Sequence, residues 1–145
     1  MRLRRLRLGE LLALAGAACV IVSLLLRWYE SPLGELDAWN TFGPAVALLI
    51  AAACAALALV LSALGERSTA LPVSAAVWCA ALGLAGVIAA VVRVLERPDH
   101  ATSLCAGAWL ALVGAVAILL GAWQSLRDER GSLYPPASFE RRPAP

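Results

Sequence analysis

Few side chains in this 145-residue chain are equipped for chemistry, and Glu10 is the first of them. It is the only acid within a segment long and apolar enough to span a membrane, and a carboxylate held in hydrocarbon is by default a candidate proton-coupling group. It lies near the start of that run, where water or Arg7 is within reach. An interfacial charge at a helix start is the plainer expectation for it. His100, the single histidine, follows Asp99 and stands one helical turn after Glu96. One histidine among scattered carboxylates gives too few converging ligands for a metal or acid–base centre. A solvated loop is expected there, with Arg93, Glu96, Arg97 and Asp99 pairing with Glu30, Glu35 and Asp37. Exposed pairs of that kind stabilise little.

The four cysteines, Cys19, Cys54, Cys79 and Cys105, fall one to each apolar run, and no CxxC occurs. Neither a thiol-redox motif nor a zinc site is signalled. Cys19 and Cys54 lie at similar depth, and small apolar packing is the ordinary role for both. Serine, histidine and acid form no triad, and no glycine-rich phosphate loop exists. The reading is of a non-enzymatic protein without catalytic residues, cofactor or metal.

The elements that position these residues are legible from charge. Uncharged stretches run Leu11–Leu26, Ala38–Gly65, Ser68–Val92 and Ala101–Leu126. A bilayer core needs about 20 apolar residues of helix, and no soluble domain of this size buries four such segments. A hydrophobic fraction of 61% and a mean hydropathy of +0.80 agree. The fold class predicted is all-α, an antiparallel bundle of four transmembrane helices in a single domain over residues 1–126. The spans are placed at 8–26, 44–64, 71–92 and 103–123, with a disordered tail over 127–145.

All twelve basic residues are arginine, which points to a GC-rich genome. With the N-terminus cytoplasmic, the inner segments hold Arg2, Arg4, Arg5, Arg7, Arg67, Arg127, Arg130, Arg141 and Arg142. The outer loops hold only Arg27, Arg93 and Arg97. That bias puts both termini in the cytoplasm of a bacterial inner membrane. A net charge of +2 without an exposed basic face argues against nucleic acid as a partner. Arg2–Arg7 resembles a signal-peptide n-region, and Gly16–Cys19 faintly resembles a lipoprotein cleavage site. The apolar run continues through Val20–Leu26, so an uncleaved span is expected.

Within the outer segment Arg27–Gly43, Ser31 and Pro32 can start a short helix. Leu33, Leu36, Trp39 and Phe42 then recur every third residue, the spacing of an amphipathic turn lying on the outer leaflet. A tethered loop is the alternative, because Gly34 weakens a helix. Trp28, Tyr29, Trp39 and Phe42 form a candidate outer surface for a partner or lipid. Gly107, Ala111, Gly114 and Gly121 repeat along one face of span four. Small residues at that spacing let helix backbones approach, within the bundle or across a homodimer seam. The partners expected are the lipid bilayer and a membrane protein or a second copy of the chain.

Five segments carry a resemblance. They are Arg27-Trp28-Tyr29, Asp37–Phe42, Arg93–Pro98, Gly107–Leu112 and Gly121–Glu129. In these the chain resembles an uncharacterised family of small four-helix integral membrane proteins from high-GC bacteria. The resemblance implies the topology and brings no activity or functional residues. The small multidrug transporters are similar in length, helix number and a first-helix glutamate. Here Glu10 sits shallower, and span two has no aromatic or polar lining between Pro44 and Val60. A small oligomeric proton-coupled transporter using Glu10 is therefore the second functional expectation. An accessory or scaffold role is the first.

Overall fold

The computed structural model describes residues 7–31, 34–37, 39, 43–64, 70–96 and 103–132. Four helices dominate it: α1 (Leu8–Leu25), α2 (Pro44–Leu64), α3 (Ala70–Leu95) and α4 (Ala106–Ser132). Each is long and apolar enough to cross a membrane. Pro44 opens α2, where a missing N–H costs nothing, and Gly43 before it takes φ +49°, a left-handed turn that glycine enters freely. At the other end of α3, the Glu96 N–H closes the last turn on the Val92 carbonyl at 2.7 Å.

The helices form a ring in which α1 packs on α2 and α4, and α3 on α2 and α4. The tightest seam is α1 against α4. Gly9 meets Gly121 and Gly16 meets Gly114, so the two helices run antiparallel. Both the start of α1 and the finish of α4 therefore lie at one end of the bundle, the terminal end. The interior is filled with small and branched apolar side chains. Ala13, Val20, Leu49, Ala52, Leu59, Ala115 and Ile118 are fully buried. The outside is apolar as well, for Ile21, Leu61, Leu84, Ile88 and Val113 all face outward. Between 28% and 44% of each span is buried, and every apolar helix also keeps an exposed apolar face on the outside of the bundle. A water-soluble bundle would place charge there.

Tryptophans mark two levels on that outer surface. Trp78 and Trp123 are exposed and lie near the terminal end, since Gly83 of α3 packs on Leu119 of α4. Trp109 is exposed toward the opposite end, 14 residues from Trp123, or about 21 Å along the axis. Amphipathic rings at two such levels are the habit of membrane-interface belts.

Three expectations are corrected. The bundle carries a small antiparallel sheet, β2-β1-β3, formed by β1 (Arg27–Ser31), β2 (Gly34–Asp37) and β3 (Ser103–Leu104). Of the amphipathic helical turn expected from Ser31 to Phe42, Ser31 and Gly34–Asp37 are instead paired strands, whereas Trp39 is helical. Span four starts at Ala106 rather than Ser103, because Ser103 and Leu104 pair with Glu30 and Tyr29 instead of joining the helix. The predicted tail begins too early, since α4 continues past Arg127 to Ser132. The loop 65–69, His100, Arg97, Asp99 and Phe42 lie outside the described residues, as does the tail from 133.

Candidate functional site

The sheet end is built on Trp28 and Tyr29. Consecutive strand residues normally point to opposite faces, yet both of these are fully buried. The register explains it. Arg27 pairs with Asp37 and Tyr29 with Leu36, so Trp28 is an extra residue opposite none, a β-bulge. The bulge turns the indole onto the bundle, where its Nε1–H donates to the Ser23 carbonyl at 2.8 Å. That carbonyl sits in the last turn of α1, where no helical N–H reaches all such groups. The backbone carbonyl of Trp28 accepts the Cys105 N–H at 2.9 Å, extending the β1–β3 ladder to the first residue before α4.

Tyr29 does the same for α3. Its hydroxyl donates to the Arg93 carbonyl at 2.6 Å, again in a last helical turn. Glu30 is exposed, and its Oε2 accepts the Ser103 hydroxyl at 2.9 Å. One strand of five residues thus ties the ends of α1, α3 and α4 together. Gly107 makes the fit possible, because a β-carbon there would lie 2.6 Å from the Arg27 carbonyl oxygen and 2.8 Å from Trp28 Cδ1.

These positions revise the expected outer surface. Trp28 and Tyr29 are structural anchors rather than presented aromatics, because they are the two largest fully buried side chains among the described residues. Trp39 is 60% exposed and keeps the expected role open. The two outer segments are joined by β pairing and by Ser103–Glu30, not by salt bridges alone as expected. Ser23 and Ser103 were not expected at this site, and Arg93, expected there as an ion-pairing side chain, accepts through its backbone carbonyl.

At the terminal end, Glu10 is 7% exposed. Its Oε2 accepts the Arg7 backbone N–H at 3.0 Å, and the Arg7 carbonyl accepts the N–H groups of Glu10 and Leu11. This is the carboxylate half of a capping box, with the negative charge at the positive end of the helix dipole. The helix-packing residues Gly107, Ala111, Gly114 and Gly121 are all buried within the chain, three of them against α1 or β1. Their seam is intramolecular here. No protein-family model matches the chain, nor does any curated protein or solved structure.

Cys79 is buried, Cys19 and Cys105 half-buried and Cys54 exposed, all as free thiols. Among the described residues no three of histidine, cysteine, aspartate and glutamate converge as a metal site would require. The chemistry this arrangement supports is structural: strand pairing, carbonyl capping and close helix packing. Tyr29→Phe tests it directly. Removing the hydroxyl leaves the Arg93 carbonyl short of a donor, and a loss of about 1–2 kcal/mol is expected. Unfolding of the purified protein by denaturant in mixed micelles reads that loss, and an unchanged midpoint would count against the anchoring role.

Proposed function

We infer that this chain is a non-enzymatic integral membrane protein of a bacterial cytoplasmic membrane, with both termini inside. It serves as an accessory subunit or scaffold that meets a partner membrane protein at the sheet end. The observation carrying this reading is where the polar groups go. Glu10 caps α1, Trp28 caps the end of α1, and Tyr29 caps the end of α3, while the bundle interior is alanine, leucine, valine and isoleucine. The arginine bias supports the orientation, with nine inside and three outside. The exposed Trp39, which follows β2, and the exposed carboxylates Glu30 in β1 and Glu96 after α3 supply the contact surface. Aromatic anchors with polar surroundings are the usual make-up of a binding patch.

The second reading is a small oligomeric proton-coupled transporter. The burial of the Glu10 carboxylate at the head of a membrane-length helix favours it. One experiment separates the two. A photo-crosslinking phenylalanine analogue is placed at Trp39 or, as a lipid-facing comparison, at Ile88, and the membranes are irradiated. The scaffold reading expects one discrete protein adduct from position 39 and none from position 88. Equal labelling from both, together with proton uptake into liposomes that is abolished by Glu10→Gln, would replace the scaffold by the transporter.

A further inference from the structure

On the outer face of the bundle at the terminal end, a groove of about 560 Å³ opens between α1 and α4. Its lining is ordered along the helix axes. Leu12 comes from α1, and along α4 the lining runs from Leu120 through Trp123 and Gln124 to Arg127 and Asp128 toward the terminal end. All six residues are exposed, so among the described residues nothing covers the groove. From Leu120 to Arg127 is two helical turns, about 10 Å along the axis. Arg127 and Asp128 stand about one helical turn beyond Trp123 toward the terminal end, where a tryptophan at the membrane interface would put them in the headgroup layer.

This sequence of walls matches one kind of molecule. Leucines suit acyl chains, an indole and an amide suit the ester region, and a guanidinium suits a phosphate. An anionic lipid would be satisfied by Arg127 alone and repelled by Asp128. A carboxylate beside the guanidinium instead suits a headgroup carrying both a phosphate and an ammonium. The ammonium must also donate hydrogen bonds to gain fully from a carboxylate, which a quaternary amine cannot do. We propose that the groove is a binding site for a phospholipid with a primary-amine headgroup of the ethanolamine type. Arg127 and Gln124 hold its phosphate, Asp128 its ammonium, and Leu12, Leu120 and Trp123 its glycerol and upper acyl chains. The site requires only that the four helices cross a bilayer, and does not depend on the accessory role.

The test is native mass spectrometry of the full chain released from nanodiscs. These contain equal parts of phosphatidylethanolamine, phosphatidylglycerol and phosphatidylcholine with matched acyl chains. The expected result is a single retained phosphatidylethanolamine, favoured over phosphatidylcholine on the order of tenfold, as one charge-assisted contact provides. Asp128→Asn is expected to bring that ratio close to one and to raise the phosphatidylglycerol adduct. Arg127→Gln is expected to lower retention of all three. Because both side chains are exposed, neither change should disturb the bundle, and far-UV circular dichroism checks this. Phosphatidylglycerol dominating in the unaltered protein would overturn the proposal. So would an ethanolamine preference that survives Asp128→Asn, or displacement of the lipid by millimolar soluble phosphoethanolamine.

Discussion

Gly16→Ala is expected to destabilise the bundle by about 1–3 kcal/mol although it adds one methyl group. The β-carbon would lie 2.6 Å from the Gly114 carbonyl oxygen and 2.7 Å from the Ile118 backbone nitrogen. Both are backbone atoms of α4, so relief requires the helices to move apart. Separation would propagate along the seam, because Gly121 is equally tight, 2.5 Å from the Ala13 nitrogen. In lipid there is no hydrophobic force to hold helices together, and close van der Waals packing must do it. Gly86→Ala is the matched comparison. There the β-carbon would meet Ala52 Cβ and Leu49 Cδ2 at 3.6 Å and Ala115 Cβ at 3.8 Å, ordinary contact distances. Added contact and the lower backbone entropy of alanine should make that change neutral or stabilising by about 0.5–1 kcal/mol. Denaturant unfolding in mixed micelles, followed by circular dichroism, ranks the two. Equal midpoints would remove the α1–α4 seam from its central place in the fold.

How much of this was readable beforehand follows from the physics of each signal. Hydrocarbon imposes a length on every span, so four helices and most of their limits could be placed from uninterrupted apolar runs. The rhythm Gly107, Ala111, Gly114, Gly121 announced a close-packed face, since only small residues permit such approach. It did not say which helix is met, because alanine is spread over all four spans. Gly9 and Gly16 of α1, which meet it, stand among small residues that recur in every span. Glu10 was legible as a helix-start charge from its position alone. The sheet was not legible. β1 is Arg-Trp-Tyr-Glu-Ser, whose two aromatics are adjacent instead of alternating, and the bulge that buries both is a tertiary choice. Adjacent aromatics after an arginine read more naturally as a membrane-interface pair. The three-residue recurrence of Leu33, Leu36, Trp39 and Phe42 then favoured a helix over a strand. The groove between α1 and α4 was illegible for another reason. Leu12 and Arg127 are 115 positions apart, and only the antiparallel closure of the ring makes them neighbours.

Trp28→Ala is expected to open the sheet end while leaving the terminal end closed. The indole is fully buried, and truncating such a side chain costs about 3–5 kcal/mol. Part of that loss is polar, because the Ser23 carbonyl loses the indole donor and keeps only the Leu26 N–H at 3.2 Å. Trp28→Phe separates the parts. It keeps most of the ring volume and removes the N–H, so a smaller loss of about 1–2 kcal/mol is expected. The local consequence is testable apart from global stability. Cys105 is half-buried, and its N–H is held by the Trp28 carbonyl. With Cys105 as the sole cysteine, an impermeant maleimide added from the sheet side should react much faster in Trp28→Ala than in the parent. A cysteine placed at Ser125, buried at the terminal end, should stay as slow as before. Gly107→Ala should mimic the effect at Cys105, since its methyl group would occupy the space of Trp28 Cδ1. The two glycine seams then act at different ranges. Gly16 and Gly121 hold whole helices together, whereas Gly107 admits one side chain that closes the sheet end. If both ends loosened together in Trp28→Ala, the sheet would be part of the bundle's cooperative core rather than a cap on it.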